Sequence, residues 1–268
     1  MSEIILPFLK WAGGKRWLAN NSAFSVPTYD GRYIEPFLGS GSIFFSLRPK
    51  QSILSDLNKE LISTYGSLRD EHEKVLSYLK VHARKHSKKY YYKIRDQFRP
   101  RSSSSRAAKF LYLNRTCWNG LYRVNLNGRF NVPKGTKSKV ILETDDFASV
   151  SRALKGAKLL CSDFEAIIDG ANEGDFIYAD PPYTVRHNMN GFIKYNEVLF
   201  SWEDQRRLSS ALVRASKRGA KFVLSNADHM SVRDLYANVA SIKTVNRASI
   251  ISGDRDARGI TTELLVWK

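Results

Sequence analysis

The sequence predicts an α/β fold in which a mainly parallel sheet with an antiparallel edge is interrupted by a large insertion. Short apolar strands alternate with helices in both flanks of the chain, a glycine turn follows the first strand, and a strongly basic segment separates the flanks. Apolar residues make up 43% of the 268 residues and aromatic residues 12%, which excludes a disordered chain. The length suits one large α/β domain or a domain that carries a sizeable insertion.

The N-terminal flank has the layout of a nucleotide or nucleoside site. Residues 32–35 form a predicted strand, the glycine turn at residues 36–41 follows it, and a helix starts near Ile43. A second strand over residues 52–55 ends at Asp56, whose carboxylate is able to accept hydrogen bonds from both hydroxyls of a ribose. The turn lacks a third glycine and little after it suits a pyrophosphate, so a dinucleotide is disfavoured. Glycine turns are also common for steric reasons alone.

The C-terminal flank continues the alternation of strands and helices. Ser201 and Asp204 predict the start of a helix that runs to Lys217, and the closing segments 242–245 and 264–267 are able to pair as an antiparallel edge. Ligands bind at the carboxyl ends of parallel strands, so polar residues at those ends are candidate ligands. Three more strands are predicted over residues 158–161, 175–179 and 222–224. The polar residues at strand ends are Asp56, Asp163, Asp180 and Asn226.

The charge of the chain is concentrated in one segment. The chain has 43 Lys plus Arg against 26 Asp plus Glu, a net charge of +17. Residues 84–139 hold 16 of these bases and only one acid, Asp96, so the rest of the chain is close to neutral. Aromatic residues are interleaved with the bases, and such aromatics are able to stack on nucleobases while the bases neutralise phosphates. This pattern favours a nucleic-acid partner over an acidic membrane surface or a merely solvated basic face.

Two stretches of the basic segment are predicted to be loops. Residues 99–106 are rich in Ser, Arg and Pro, which predicts a mobile linker near phosphates. Residues 125–130 carry Asn-Gly between apolar residues, which predicts a hairpin turn.

The segment Asp180-Pro181-Pro182-Tyr183 is the most specific chemical feature of the sequence, because it follows an apolar strand directly. Its two prolines lack backbone donors and have restricted φ angles, so they hold the Asp180 carboxylate and the Pro181 carbonyl stiffly. These two acceptors are able to bind both hydrogens of an exocyclic amine and steer its lone pair towards an electrophile. Tyr183 is then able to stack on the ring that carries the amine. The alternative is a rigid turn with a half-buried tyrosine.

Three motifs together resemble the Dam-type DNA adenine N6-methyltransferases. They are Lys10-Trp11-Ala12-Gly13-Gly14-Lys15, Phe37-Leu38-Gly39-Ser40-Gly41 and Asp180-Pro181-Pro182-Tyr183, in the order of that family. The stretch at residues 113–123, followed by Phe130-Asn131-Val132-Pro133, resembles the family's recognition region. The resemblance covers nearly the whole chain.

The resemblance implies a Rossmann-like methyltransferase sheet, mainly parallel with an antiparallel edge, plus a mostly helical DNA-recognition insertion with a β-hairpin. Residues 1–60 and 151–268 would form the catalytic domain that binds S-adenosylmethionine, and residues 61–150 the target-recognition insertion. The expected reaction is methyl transfer to the N6 amine of an adenine flipped out of double-stranded DNA.

The resemblance also implies the residues of the site. The catalytic residues would be Asp180, Pro181, Pro182 and Tyr183. The residues that bind S-adenosylmethionine would be Trp11, Lys15, Glu35, Phe37, Gly39, Ser40, Gly41, Asp56, Asp163, Phe164 and Asp180. The residues that bind DNA would be Lys10, Trp118, Asn119, Leu121, Arg123, Asn131 and Pro133. Trp11 also suits a plain core position and Lys15 a surface charge.

Several further positions in the chain have open or secondary interpretations. Arg115 suits a structural role, and the tyrosines at residues 90–92 suit either DNA contact or a helix interface. Residues 188–191, polar and with a glycine, are a candidate cover over the flipped base.

The composition excludes several other classes of site and location. The five histidines show no metal-ligand spacing, so we expect no metal. Two cysteines exclude a disulfide framework, and neither a membrane span nor a signal-peptide core is visible, so we expect a cytoplasmic protein. We expect a monomer or weak dimer with double-stranded DNA as partner.

Three alternatives to this function remain open. The enzyme could act on a longer site containing GA rather than on GATC, whose enzymes the segment Asn119-Gly120-Leu121-Tyr122-Arg123 resembles most. It could modify RNA adenine or cytosine N4, since the amine chemistry is the same. It could also be a non-catalytic DNA-binding regulator, against which the intact motifs speak. The sequence leaves open whether the chain belongs to a restriction-modification pair, a phage, another mobile element or a housekeeping system.

Overall fold

The predicted alternation of strands and helices is present in the computed structural model, which describes residues 5–125, 128–184, 200–248 and 260–268. Its contacts divide the chain into two units. The helical unit comprises Met1–Ala19, Gly39–Arg48 and Asn58–Cys161. The sheet unit comprises Asn20–Leu38, Pro49–Leu57 and Ser162–Lys268.

The helices and strands are numbered in chain order. The strands in the described residues are β1 (Tyr33–Glu35), β2 (Ser52–Ser55), β3 (Ala157–Leu160), β4 (Phe176–Ala179), β5 (Lys221–Ala227), β6 (Ser241–Ala248) and β7 (Ile260–Trp267). The helices there are α1 (Arg16–Ala19), α2 (Ser42–Leu47), α3 (Lys59–Lys85), α4 (Lys88–Asp96), α5 (Ser103–Thr116), α6 (Phe147–Leu154), α7 (Phe164–Asp169), α8 (Trp202–Lys217) and α9 (Met230–Tyr236), with a 3-10 turn at Trp118–Gly120.

The strands of the sheet unit confirm the predicted mixed sheet. They lie in the order β2-β1-β4-β5-β7-β6. Strand β1 is parallel to β2 and β4, and β4 is parallel to β5, whereas β7 is antiparallel to both β5 and β6. Every residue of β1 and β4 is buried, as expected for central parallel strands with apolar sequences.

The parallel strands bring several predicted site residues to one edge of the sheet unit. Asp56 and Asp180 directly follow the carboxyl ends of β2 and β4. Asn226 lies inside β5 rather than after it, is fully buried, and donates from Nδ2 to Gln205 Oε1 at 2.9 Å. Asn226 therefore connects β5 to α8, whose start at Ser201 has the predicted capping box with Asp204.

The helical unit is built around α5. Eleven of the 14 residues of this helix are buried, so α5 forms the centre of the unit rather than its surface. Helices α3 and α5 pack together, and α3 is interrupted by a non-helical residue at Glu71. Beyond this break, α3 buries Val75, Leu79 and His82, which share one helical face.

The loop predicted over residues 99–106 is wrong in its second half. Helix α5 begins at Ser103, and Ser102 and Ser105 form a capping box in which each side chain accepts from the backbone N–H of the other at 3.2 Å. A run of serines therefore starts a helix here because serine satisfies the free N–H groups of the first turn.

The hairpin predicted over residues 125–130 is confirmed for the described residues; Leu126 and Asn127 lie outside them. Val124 and Phe130 form an antiparallel bridge, and Asn125 N donates to Arg129 O at 2.9 Å. Gly128 has φ 68°, a left-handed conformation that favours glycine.

The predicted division into residues 1–60 with 151–268 and residues 61–150 stays a prediction. It divides the chain by function, whereas the helical and sheet units are defined by contacts alone.

Candidate functional site

The carboxylate of Asp180 is oriented by a hydroxyl of the neighbouring strand. Ser225, fully buried on β5, donates from Oγ to Asp180 Oδ1 at 2.7 Å. The hydroxyl of Tyr178 lies 3.0 Å from the same Ser225 Oγ. Because Ser225 uses its proton on Asp180, its oxygen accepts from Tyr178. These two hydrogen bonds fix one oxygen of Asp180 against the sheet. Pro181 and Pro182, whose φ angles are restricted, keep the backbone after Asp180 rigid.

Tyr183 is anchored through its hydroxyl to the antiparallel edge. Its Oη donates to Glu263 Oε2 at 2.6 Å, and Glu263 Oε1 accepts from Arg247 Nη1 at 2.7 Å. Burial raises the pKa of the Tyr183 phenol well above its ordinary value, and the charges of Asp180 and Glu263 raise it further. The phenol therefore stays protonated and remains a donor to Glu263.

Asp163 and Phe164 lie at the start of α7. Asp163 is the N-cap of this helix, with Oδ1 accepting from the N–H of Glu165 at 2.9 Å. The Phe164 ring stacks on Phe37 with centroids 5.3 Å apart, and both rings contact Phe200 at 5.6 Å. The structure thus brings three predicted cofactor residues into one aromatic group with a carboxylate beside it.

Glu35 and Asp56, at the ends of β1 and β2, differ in burial. Glu35 is buried, and its Oε2 accepts from Tyr33 Oη at 2.7 Å. Burial raises the pKa of Tyr33 well above its ordinary value, and the negative charge of Glu35 is the second cause of this rise. Asp56 is half-buried.

The glycine turn of the helical unit packs against Trp11. Gly39 has φ 47°, and a Cβ added there would lie 2.8 Å from Trp11 Cδ1. Gly41 has φ 65°, and its added Cβ would lie 2.9 Å from the hydroxyl of Tyr65, which itself donates to Gly39 O at 3.0 Å. Both glycines are therefore required by backbone conformation and by packing.

Two more predicted cofactor residues of the helical unit are Lys15 and Ser40, of which Ser40 belongs to the turn. Lys15 is only 3% exposed and donates from Nζ to Gly13 O at 2.8 Å, which excludes a surface charge. Ser40 Oγ lies 2.9 Å from Ser42 Oγ. The half-buried ring of Trp11 stacks on Tyr122 at 5.7 Å, next to the predicted recognition region.

The structure brings the predicted DNA-binding residues of the insertion together on one surface. Trp118 N donates to Pro133 O at 2.9 Å, and Arg123 Nε donates to Asn131 Oδ1 at 3.0 Å. Trp118 is 51% exposed, so its ring is accessible to a partner. Leu121 is half-buried, and the others are exposed: Trp118, Asn119, Arg123, Asn131 and Pro133.

Lys10 joins this surface through Asn114. This buried asparagine accepts from Lys10 N at 3.0 Å and donates to Lys10 O at 2.7 Å and to Gly120 O at 3.3 Å. Burial, followed by the nearby Lys137, lowers the pKa of Lys10 to about 8.

Burial resolves the open interpretation of Arg115 and that of one of the three tyrosines at residues 90–92. Arg115 is 1% exposed and binds both oxygens of Asp145 at 2.6 Å, so its role is structural. Tyr91 is fully buried and donates to Val132 O at 2.9 Å, so it supports the recognition segment from α4. The candidate cover at residues 188–191 lies outside the described residues.

Sequence reasoning missed the residues that orient the predicted ones, above all Ser225, Glu263 and Asn114. Glu263 had a visible signal, because it is an acid directly before the apolar run at residues 264–267. Ser225 and Asn114 gave none, since their partners are distant in the sequence.

Two features are absent from the part of the chain that the structure describes. No group of three or more His, Cys, Asp or Glu there is arranged to hold a metal ion. No helix in the same part of the chain is both long and apolar enough to cross a membrane.

Comparisons with known proteins agree with the resemblance seen in the sequence. The model of the D12 class N6 adenine-specific DNA methyltransferases matches residues 11–251. The Type II methyltransferase M1.LlaDCHI of Lactococcus lactis subsp. cremoris is 35% identical over 97% of this chain and 94% of its own length. The Type II methyltransferase M.MjaIII of Methanocaldococcus jannaschii is 35% identical over 98% of both chains. The DNA adenine methylase of Escherichia coli K12 is 32% identical over 96% of this chain and 93% of its own length.

Proposed function

The chain belongs to the D12 class N6 adenine-specific DNA methyltransferases, and from this premise we propose that it methylates the N6 amine of an adenine flipped out of double-stranded DNA, within GATC, with S-adenosylmethionine as donor. The observation that carries the proposal is the rigid Asp180 segment, in which Ser225 orients the carboxylate at the carboxyl edge of the sheet unit. The family match and the relatives establish the enzyme class. The target sequence, the flipping of the base and the identity of the methyl donor are our proposal.

The Asp180 segment is suited to activate an aromatic amine. The lone pair of adenine N6 is delocalised into the ring, so the amine is a weak nucleophile. The Asp180 carboxylate and the Pro181 carbonyl accept hydrogen bonds from the two N–H groups of N6. These bonds favour a more tetrahedral nitrogen, whose lone pair then points to the methyl group. Tyr183, held by Glu263 at 2.6 Å, stacks on the base. This chemistry requires positioning and electrostatics rather than a covalent intermediate.

The residues present fit S-adenosylmethionine. In the sheet unit, the Phe37 and Phe164 rings suit an adenine ring, the 39%-exposed Asp163 carboxylate suits its amine, and Asp56 suits the ribose hydroxyls. In the helical unit, Trp11 suits a cationic sulfonium, and Lys15 suits the carboxylate of the amino-acid tail. The cofactor, when bound, would supply the methyl group of its sulfonium: as the N6–methyl bond forms, the sulfur–methyl bond would break, the neutral thioether would leave and the amine would release one proton, with no need of a metal.

The surface of the insertion supports recognition of duplex DNA. Arg123 is exposed and suits bidentate reading of a guanine edge, with Lys10 as a second guanine contact. Trp118 and Leu121 suit wedges beside the vacated base position. The other exposed Lys and Arg side chains of residues 84–139 suit contacts with phosphates, which position the enzyme without specifying sequence. The choice of GATC rests on the segment at residues 119–123.

Mass spectrometry of nucleosides and sequencing of methylated plasmid at single-base resolution test this proposal. We expect N6-methyladenine confined to GATC. N6-methyladenine at longer sites containing GA would revise the target only. N4-methylcytosine, or methylation of RNA alone, would contradict the substrate. Absence of S-adenosylmethionine binding in calorimetry would favour the non-catalytic regulator.

A further inference from the structure

Arg207 on α8 contacts both residues proposed for the adenine end of the cofactor. Its Nη2 donates to Asp163 Oδ1 at 2.9 Å, and its guanidinium carbon lies 4.9 Å from the centroid of the Phe164 ring. A planar guanidinium is able to stack on a ring and to bind a carboxylate at once, which a lysine ammonium cannot do in the same way.

The guanidinium itself is held by two other carboxylates. Nε donates to Glu165 Oε2 at 2.9 Å, and Nη1 donates to Asp204 Oδ1 at 2.8 Å. Glu165 belongs to α7 and Asp204 to the first turn of α8, so Arg207 is fixed from both helices. With all three nitrogens engaged, the side chain has little freedom to leave Asp163 and Phe164.

The contacts of Asp163 are unequal between its two oxygens. Oδ1 accepts from both Arg207 and the N–H of Glu165, each at 2.9 Å. Among the described residues, Oδ2 has no hydrogen-bond partner, and the side chain is 39% exposed. One oxygen is thus anchored by the protein while the other remains able to accept a hydrogen bond from a ligand.

We propose that Arg207 is a positioning residue that selects the adenine of the cofactor, by anchoring Asp163 Oδ1 so that Oδ2 accepts from the 6-amino group and by fixing the Phe164 ring. The inference rests on the proposed use of S-adenosylmethionine. It adds a residue with no expected cofactor contact of its own, whose effect passes through Asp163 and Phe164.

Arg206 offers a matched control for Arg207. It is the preceding residue on the same helix and carries the same charge, but its side chain is 65% exposed and its ion pair with Glu203 is 3.9 Å long. Arg206→Gln therefore removes a charge from α8 without altering Asp163 or Phe164.

The test is calorimetric binding of S-adenosylhomocysteine and of its analogue with hydrogen in place of the 6-amino group. We expect the wild-type protein to bind the analogue about tenfold more weakly, as for loss of one hydrogen bond to a charged acceptor. Arg207→Gln should weaken the binding of S-adenosylhomocysteine about tenfold or more. It should weaken the binding of the analogue less than about threefold, since the analogue lacks the 6-amino group that Asp163 is proposed to bind. Arg206→Gln should change neither by more than about twofold.

Equal weakening of both ligands by Arg207→Gln would overturn the selection of the amine and indicate a general structural role. Unchanged S-adenosylhomocysteine binding in this variant would overturn any role of Arg207. If Arg207→Gln fails to fold, Arg207→Lys replaces it, and the same comparison of two ligands within one variant decides. A wild-type protein that binds neither ligand would contradict the proposed cofactor, and the inference with it.

Discussion

The hydroxyl of Tyr183 lies 2.6 Å from Glu263 Oε2, so the last residue of the Asp-Pro-Pro-Tyr segment is bonded to the antiparallel strand β7. Glu263 is 4% exposed and is balanced by Arg247 of β6. The β6–β7 edge therefore does more than complete the sheet, because it sets the orientation of the ring proposed to stack on the target adenine.

Tyr183→Phe should retain the ring but lose its anchor. We expect the single-turnover methylation rate to fall about tenfold, and that of Tyr183→Ala to fall a further tenfold or more, since stacking is then lost as well. Glu263→Gln should add little in the Tyr183→Phe background, because both changes disturb one contact. Fully additive rate losses in the double variant would show that Glu263 does not act through Tyr183.

Arg123→Ala should reduce the preference for matched over mismatched DNA more than Lys88→Ala does. Arg123 is exposed beside Asn131 on the recognition surface, and loss of a guanine contact should cost about 1–3 kcal/mol at that base pair. Lys88 is an exposed residue of α4, and its loss should weaken binding at all sites and lower the salt slope by about one. Fluorescence anisotropy with matched and mismatched duplexes measures both effects. Equal behaviour of the two variants would contradict the base-reading role of Arg123.

DNA affinity should fall as pH rises through the pKa of Lys10. Burial and Lys137 lower this pKa to about 8, so the ammonium is charged at pH 7 and mostly neutral at pH 9. If DNA binds the charged form, affinity at constant salt should drop about tenfold over this interval. Cys117 should not contribute, because burial raises its pKa to about 11. In Lys10→Arg the charge persists and the dependence should flatten; an unchanged pH profile in that variant would exclude Lys10 as its source.

Removal of Asp145 should destabilise the fold. Arg115 and Asp145 are 1% and 5% exposed, so Asp145→Ala leaves a buried charge without its partner. We expect the free energy of unfolding in urea to fall by about 3–5 kcal/mol. The exposed pair of Lys139 and Glu143 provides the control, and Glu143→Ala should cost less than about 1 kcal/mol. Similar losses in the two variants would contradict the structural role assigned to Arg115.

Sequence patterns predicted the architecture well where local signals decide the structure. The strand at residues 52–55 was predicted with its observed bounds, and Ser201 with Asp204 marked the start of α8, because strand apolarity and helix capping are local properties. The serine run at residues 102–105 misled, since the same residues favour loops and helix starts.

The supporting contacts of the site were beyond sequence reasoning. Motifs and strand ends predicted Asp180, Tyr183 and Asp163 as site residues, but Ser225, Glu263 and Arg207 lie 45, 80 and 44 positions away from them and meet them only in the fold. Local periodicity carries no information about which strand or helix faces another at such separations.

The most direct test of the account is single-turnover methylation of a GATC duplex by the wild-type protein and by Asp180→Ala, with DNA affinity measured in parallel. We expect the wild-type protein to form N6-methyladenine and Asp180→Ala to lose at least about a thousandfold in rate, while DNA affinity stays within about threefold. Asp180→Ala with the wild-type rate would contradict the proposed mechanism.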